Sequence, residues 1–372
     1  MQNISAGLLV IHHDSILLVQ QHYDVQGVHL SIPKGCIMDN ESPIQAAIRE
    51  TYEETGIHIS SKQIDKTPYL ITVRFTGTTR RIIYYLVRLN HIPTEIEPID
   101  SSEILAARFI QYSTAVKTLQ ISQLSVLLHV YPDKIPLRAL NWLIFNGYIC
   151  KNTHPYCNLA IYNYTEKCKK HEYWNEITLW CRGIILDSQN YIRFKPLKKF
   201  FELKQLYNYF LPQTIDNFNL YEKKDGTLGI LYWINNMPYI TTRGSFTSFQ
   251  ALSATTLLYT KYTSVIHLLN KTVSYFFEII MPEDKHIVDY GECRDLFLIG
   301  AYDNIKQQEI TLNKLSDLPF KQVKSITTHL SLTNIMEDNK ENEEGYVALF
   351  TNGQRIKIKF QSYKEKYAEK YQ

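Results

Sequence analysis

The chain has 372 residues, enough for two domains at roughly 150 residues each. Its 45% hydrophobic and 21% charged content, with 14 Gly and 13 Pro, is ordinary globular usage and excludes a disordered or collagen-like chain. Forty Lys and Arg against 37 Asp and Glu leave a net charge of +3, so nucleic-acid contact has to be argued from local sites rather than from an overall field.

Along the chain, β-branched runs at 7–10, 16–19 and 82–87 predict strands, while 43–55 and 114–130 predict helices, an α/β pattern. Two prolines and two charges between 131 and 136 break the apolar periodicity. They predict a first domain over 1–130, a linker over 131–136 and a second domain over 137–372. In the second part, strand-like runs at 183–186, 228–234, 273–280, 296–299, 345–350 and 355–360 outnumber the one long helix expected at 248–262, so a sheet-rich α+β domain is predicted. No apolar run reaches the roughly 18 to 20 residues of a bilayer span, and six cysteines do not make a disulfide-dense scaffold. The expectation is a cytoplasmic protein with no membrane contact and no obligate protein partner.

The helix expected at 43–55 opens on Ser42 as N-cap, Pro43 at the first position and Gln45 closing a capping box, and should stop at Gly56. Glu50, Glu53 and Glu54 then share one face at i, i+3 and i+4. Like charges so placed repel by about 0.2–0.5 kcal/mol per pair, unless a hard divalent cation reverses the sign. A solvated acidic face is the other reading of that charge pattern alone. Gly35, five residues, Glu41, seven residues and then Arg49-Glu50-Thr51-Tyr52-Glu53-Glu54-Thr55-Gly56-Ile57 resembles the Nudix box, with Thr51 where an aliphatic residue is usual. The resemblance implies an α/β/α sandwich that hydrolyses a nucleoside diphosphate linked to another moiety. It implies Mg²⁺ or Mn²⁺ held by Glu50, Glu53 and Glu54 with Glu41 assisting, and Arg49 orienting the carboxylates. Which glutamate serves as base stays open, with Glu53 and Glu54 the candidates. The segments 5–10, 31–35 and 81–86 are similar to diadenosine-tetraphosphate hydrolases and RNA 5′-pyrophosphohydrolases, which makes Lys34 a candidate phosphate contact.

A second motif series begins at Lys223-Lys224-Asp225-Gly226, a lysine before an Asp-Gly turn signal that leads into an apolar strand. Alone it is a weak signal. Followed in order by Phe277-Glu278-Ile279-Ile280, Glu344-Gly345-Tyr346-Val347 and Lys357-Ile358-Lys359, it resembles the covalent nucleotidyltransferases. Arg182-Gly183, Lys199-Phe200-Phe201 and Thr242-Arg243-Gly244-Ser245 bring it closer to the phage-type RNA ligases related to the T-even enzyme. The resemblance implies an ATP-grasp-like nucleotidyltransferase domain in which Lys223 attacks ATP to form lysine-AMP. Asp225, Gly226, Glu278, Lys357 and Lys359 would surround the nucleotide, and Glu344 would hold metal. Arg182, Lys199 and Arg243 would contact nucleotide or RNA. Cations near Lys223 are expected to depress its pKa.

Cys150, His154, Cys157, Cys168 and His171 crowd together without Cys-x-x-Cys spacing, so reduced semi-buried cysteines are expected over zinc. Taken together, the expected enzyme is a bifunctional one. It prepares or corrects RNA 5′ ends and seals 5′-phosphate to 3′-hydroxyl ends with ATP. The alternative is a hydrolase of dinucleoside polyphosphates or adenylated RNA joined to a non-ligating nucleotide- or RNA-binding domain.

Overall fold

The structure, a computed structural model, describes residues 4–21, 30–75, 78–99, 101–205, 218–327 and 331–371. The chain forms two compact units, Met1–Cys150 with Tyr164–Leu179, and Lys151–Asn163 with Trp180–Gln372.

The first unit contains β1 (Ile4–His12), β2 (Ser15–Gln21), β3 (Leu30–Ser31), β4 (Lys34–Cys36), α1 (Pro43–Thr55), β5 (Ile64–Phe75), β6 (Thr78–Arg88), β7 (Ile104–Gln111), α2 (Tyr112–Thr118), α3 (Leu137–Phe145), α4 (Glu166–Lys170) and most of α5 (Glu176–Trp180). Its sheet runs β3-β2-β1-β6-β5, with β4 added to β1 and β7 to β2. Parallel β1 and β6 form its centre, and Ala6 to Val10 of β1 are buried on both faces, which is why that segment reads as a continuous apolar run. Helix α1 spans the predicted residues, with the capping box closed by Ser42 and Gln45 and a left-handed Gly56 at its end. The helix expected at 114–130 is instead split into α2 and a 3₁₀ helix, Ile121–His129. Leu119 is extended at the break and bridges Leu30, and Gln120 N–H donates to the Leu30 carbonyl, a non-local pairing that no periodicity encodes.

The expected linker at 131–136 is also corrected. Ile135 is fully buried, and Arg138 on α3 donates to the Val116 and Leu119 carbonyls, so the chain from 131 to 150 stays with the first unit. Prolines there turn the chain without releasing it, because the apolar residue between them gains more from burial than from a solvated connection.

The second unit holds three sheets. β8 (Ile149–Thr153), β9 (Leu159–Tyr164), β10 (Arg182–Asp187) and β11 (Ile192–Phe194) run in the order β11-β10-β9-β8. Then follow β12 (Phe218–Lys223), β13 (Thr227–Ile234), β14 (Met237–Thr242), α6 (Phe249–Lys261), β15 (Val273–Ile280), β16 (Asp295–Asp303), β17 (Gln308–Ile310), β18 (Lys321–Gln322), β19 (Ser325–Ile326), α7 (Leu332–Met336), β20 (Gly345–Phe350), β21 (Arg355–Lys359) and α8 (Gln361–Tyr371). β14-β13-β15-β16-β17, with β18 on β16, make a six-stranded sheet, and β19-β12-β20-β21 a four-stranded one. Period-two alternation gives each of these two sheets a separate outer core. One face of the six-stranded sheet packs Leu231, Phe277 and Leu298 against Leu257 and Leu258 of α6, and one face of the four-stranded sheet packs Tyr346, Ile356 and Ile358 against Tyr363 of α8. The remaining faces of the two sheets line a common cleft.

Candidate active sites

The first site is built on α1. Arg49 gathers the carboxylates around it: Nε donates to Glu41 Oε1 at 2.9 Å, Nη1 to Glu50 Oε1 at 2.7 Å and to Glu53 Oε2 at 2.9 Å, and Nη2 to Glu41 Oε2 at 3.0 Å. The Glu41 carboxyl is held below its ordinary range mainly by the Arg49 hydrogen bond. Burial raises Glu50 despite the same arginine. Glu54 turns inward, 7% exposed, and burial pushes it up to about 8, although Lys34 N–H donates to its Oε2 at 3.1 Å. Gly35 lies directly against the Glu50 carboxylate, where a Cβ would collide with both of its oxygens. Thr51, the departure from the motif, is fully buried and satisfied by donating to Ala47 O at 2.7 Å.

Among the described residues no group of three His, Cys, Asp or Glu side chains converges as a metal centre. At α1 the physical reason is that Glu50 and Glu53 are both turned onto Arg49, whose guanidinium sits where opposite charge is needed. The donor set is oxygen-only and carries several negative charges, which suits Mg²⁺ or Mn²⁺ rather than zinc. The sulfur and imidazole cluster gives no such set. All six cysteines are free thiols, Cys168 Sγ donates to Tyr173 O, and His154 Nε2 and His171 Nδ1 hydrogen-bond to Tyr232 and Tyr148 hydroxyls.

The second site occupies the cleft between the two large sheets of the second unit, a space of about 680 Å³ whose walls include Lys223, Glu278, Arg182, Val347, Leu349 and Arg355. Register lines up its chemistry. Lys223, Gly345 and Lys359 are cross-strand neighbours on β12, β20 and β21, and Tyr221, Val347 and Lys357 form the next row on the same face. Gly345 has φ 141°, and a Cβ there would run into the Ile358 carbonyl, so only glycine lets the two lysines converge on its neighbour Glu344. Glu344 is 3% exposed and accepts from Lys223 Nζ at 2.6 Å and Lys359 Nζ at 2.9 Å.

Carboxylates as well as cations surround Lys223. Burial alone would lower Lys223, but Glu344 and Glu278 together outweigh it and hold the ammonium above its ordinary range. Lys357 is the depressed amine, brought to about 8 by burial and then by Lys359 and Lys223. Glu278, beside Lys223 and accepting from Gly226 N–H at 3.1 Å, is raised to about 7 by burial.

The other candidates separate into two groups. Arg182 lines the cleft with its guanidinium 5.6 Å from the Phe200 ring centre, and Lys357 N–H donates to Phe201 O, which brings the 199–201 segment alongside β21. Asp225 is 6% exposed, its Oδ2 accepts from Ile287 and Val288 N–H at 2.8 and 3.1 Å, and its Oδ1 accepts from Tyr363 OH at 2.9 Å. A carboxylate so occupied ties the 287–288 backbone to α8. Lys199 turns toward Phe201, and Arg243 is exposed at the end of β14. Tyr290 adds its hydroxyl to this region, and Tyr363, Arg355 and Glu309 complete it without any sequence signal; Arg355 Nη2 and Glu309 Oε2, 2.5 Å apart, join the two sheets.

Comparison with known proteins assigns both regions. Residues 1–129 match the model of the NUDIX domain, and residues 180–371 match that of the RNA ligase family. A curated relative, Nudix hydrolase 25 of Arabidopsis thaliana, is 29% identical over 107 residues, 25% of this chain and 60% of the relative. RNA pyrophosphohydrolase of Bartonella henselae is 43% identical over 60 residues, 14% of this chain and 35% of the relative. The chain thus spans less than two thirds of the length of either. The Naegleria gruberi RNA ligase solved with PPi is similar at 19% identity and a TM-score of 0.35, over 42% of this chain and 53% of that one. With more than half its length matched and the lysine motifs gathered in one cleft, the chain belongs to the RNA ligase family and carries a Nudix domain at its N-terminal end.

Proposed function

We propose that the second unit is an ATP-dependent RNA ligase working through Lys223, and that the Nudix unit prepares or corrects the 5′ end that is sealed. The observation that carries the reading is the convergence of Lys223, Lys357, Lys359 and Arg182 with two buried glutamates in one cleft. When a nucleotide triphosphate enters, its phosphates compete with Glu344 for the lysines. Lys223 then loses its proton and its Nζ attacks the α-phosphorus, forming a P–N bond as the P–O bond to pyrophosphate breaks. Lys357 and Lys359 neutralise the charge that develops on the phosphoryl oxygens. An RNA 5′-phosphate next displaces Lys223 from AMP, and a 3′-hydroxyl displaces AMP to leave a phosphodiester.

In the first unit Glu50, Glu53 and Glu54, with Glu41 nearby, are the residues that would hold Mg²⁺ or Mn²⁺, and Glu344 is the corresponding acid in the ligase cleft. When bound there, the cation would neutralise charge at the phosphoryl oxygens and lower the pKa of bound water. Arg49 aligns the carboxylates, and a glutamate among Glu53 and Glu54 accepts the proton of the attacking water. The name of the bacterial relative, RNA pyrophosphohydrolase, supports a triphosphate or capped RNA 5′ end as substrate.

Incubation with α-labelled ATP and Mg²⁺, followed by denaturing electrophoresis, tests the reading. A covalent AMP band is expected from the wild type and Glu53→Gln but not from Lys223→Ala. Absence of a band from all three, with GTP also tried, would leave a Nudix hydrolase joined to a nucleotide-binding module. Hydrolysis of 5′-triphosphate RNA by wild type and Lys223→Ala but not Glu53→Gln is expected from the first site.

A further inference from the structure

Behind the α1 carboxylates runs a buried polar chain that the sites described above do not use. Gln123, on the 3₁₀ helix, is fully buried. Its Oε1 accepts from Ile32 N–H at 3.0 Å, and its Nε2 donates to Ser31 Oγ at 3.1 Å and to Tyr84 OH at 2.8 Å. Ser31, 1% exposed, donates in turn to Ile32 O at 3.1 Å, and Tyr84 is fully buried. A primary amide placed in an apolar interior is costly unless its polar atoms are matched, and here its carbonyl and both of its donor directions are used.

The chain of bonds ends at the first site. Ser31 and Ile32 lead into Lys34, whose N–H donates to Glu54, and Gly35, which lies against Glu50. Register explains how Tyr84 reaches so far. Lys34, Gly7 and Tyr84 are cross-strand neighbours on β4, β1 and β6, with glycine in the middle. A Cβ on Gly7 would stand 2.8 Å from Lys34 Cβ and 3.0 Å from the Tyr84 ring, so its absence lets the ring close up beneath the turn. Tyr84 is also near enough to Glu54 for that carboxylate to add to the upward push that burial gives the phenol.

We propose that Gln123 is a positioning residue of the Nudix site. With Tyr84 and Ser31 it fixes the 31–35 turn, and through that turn it limits the positions of the Glu54 and Glu50 carboxylates that would take part in holding a divalent cation. The inference rests on the pyrophosphohydrolase reading of that site for its chemistry, but its geometry is testable without turnover. A glutamine that only satisfied core polar groups would, when removed, loosen the whole unit without singling out this turn.

The test uses the full chain with Gln123→Leu and Tyr84→Phe. Amide hydrogen exchange should rise about tenfold in the 30–36 peptide of Gln123→Leu, and less in Tyr84→Phe, while the β2 peptide changes by less than about twofold. Affinity for Mn²⁺ alone, measured by electron paramagnetic resonance, should fall about tenfold in Gln123→Leu, the scale typical of an outer-shell partner. Hydrolysis of 5′-triphosphate RNA should lose kcat with KM nearly unchanged. Unchanged exchange at 30–36, or a uniform rise across the unit with Mn²⁺ affinity intact, overturns the proposal. Should Gln123→Leu not fold, Tyr84→Phe and Ser31→Ala decide by the same two readouts. A wild type that hydrolyses no RNA end, while exchange and Mn²⁺ affinity respond as expected, sinks the hydrolase reading and leaves the positioning role standing.

Discussion

Glu344→Gln is the substitution that most directly tests what controls the protonation of Lys223. In the structure one buried carboxylate neutralises two ammonium groups, at 2.6 and 2.9 Å. At an effective dielectric near 20, a pair of unit charges about 4 Å apart contributes about 4 kcal/mol, or roughly three pKa units. Glu278 remains beside Lys223 and offsets part of that loss, while burial and Arg182 act in the opposite direction. The net expectation is a fall in the Lys223 pKa. The assay is the pH dependence of Lys223 acylation by a water-soluble succinimidyl ester, read by peptide mass spectrometry. The wild-type midpoint should lie above that of an ordinary lysine and the variant midpoint below the wild type. Because a raised lysine stabilises the fold below its unfolded pKa and that stability is lost as pH rises through the folded value, the wild type should also lose stability at high pH more steeply than the variant. An acylation midpoint that stays put, or rises, would refute the claim that Glu344 keeps the nucleophile protonated.

Three further outcomes follow from the same geometry. Arg49→Ala leaves Glu41, Glu50 and Glu53 facing one another, and should cost about 2 kcal/mol by urea denaturation, with Mg²⁺ restoring more stability to the variant than to the wild type; Arg49→Lys should not rescue it, because an ammonium lacks the planar fork that spans three carboxylates. Lys357, at about 8 when folded and 10.5 in its ordinary state, binds its proton more weakly in the fold. Stability should therefore rise between about pH 8 and 10.5 in the wild type, by up to about 3 kcal/mol, and Lys357→Met should flatten that rise in thermal melts. Asp225→Asn weakens three hydrogen bonds and should cost about 2 kcal/mol, and a double-mutant cycle with Tyr363→Phe should show coupling, since both changes break the same contact.

What the sequence makes legible is what is local. The capping box, the glycine stop and the three carboxylates of α1 are all within one helix, so spacing alone places them, and β15 and β20 begin and end where their apolar runs do. The break in the 114–130 helix depends on Leu30, some ninety residues earlier in the chain. The motif places Asp225 two residues from Lys223 but says nothing of its distant partners. Its actual partners include Tyr290 and Tyr363, 65 and 138 residues away, and its backbone and carboxylate are committed to them. Gln123 gives no sequence signal, since a glutamine becomes informative only when it is seen to be buried and which groups it joins.

Both sites share one device with opposite signs. Around α1 an arginine binds carboxylates that the proposed chemistry needs for a cation, and in the ligase cleft a glutamate binds lysines needed for phosphate. A buried cluster of like charges with no partner would be strongly destabilising, and each site carries an internal counter-ion. Binding then becomes an exchange of partners rather than a first desolvation, which reduces the net electrostatic gain on binding while keeping the charged groups in place. Under the proposed ligase chemistry, Lys223 would stay an ammonium while Glu344 holds it, and a triphosphate that drew the lysines away from Glu344 would make the amine reactive.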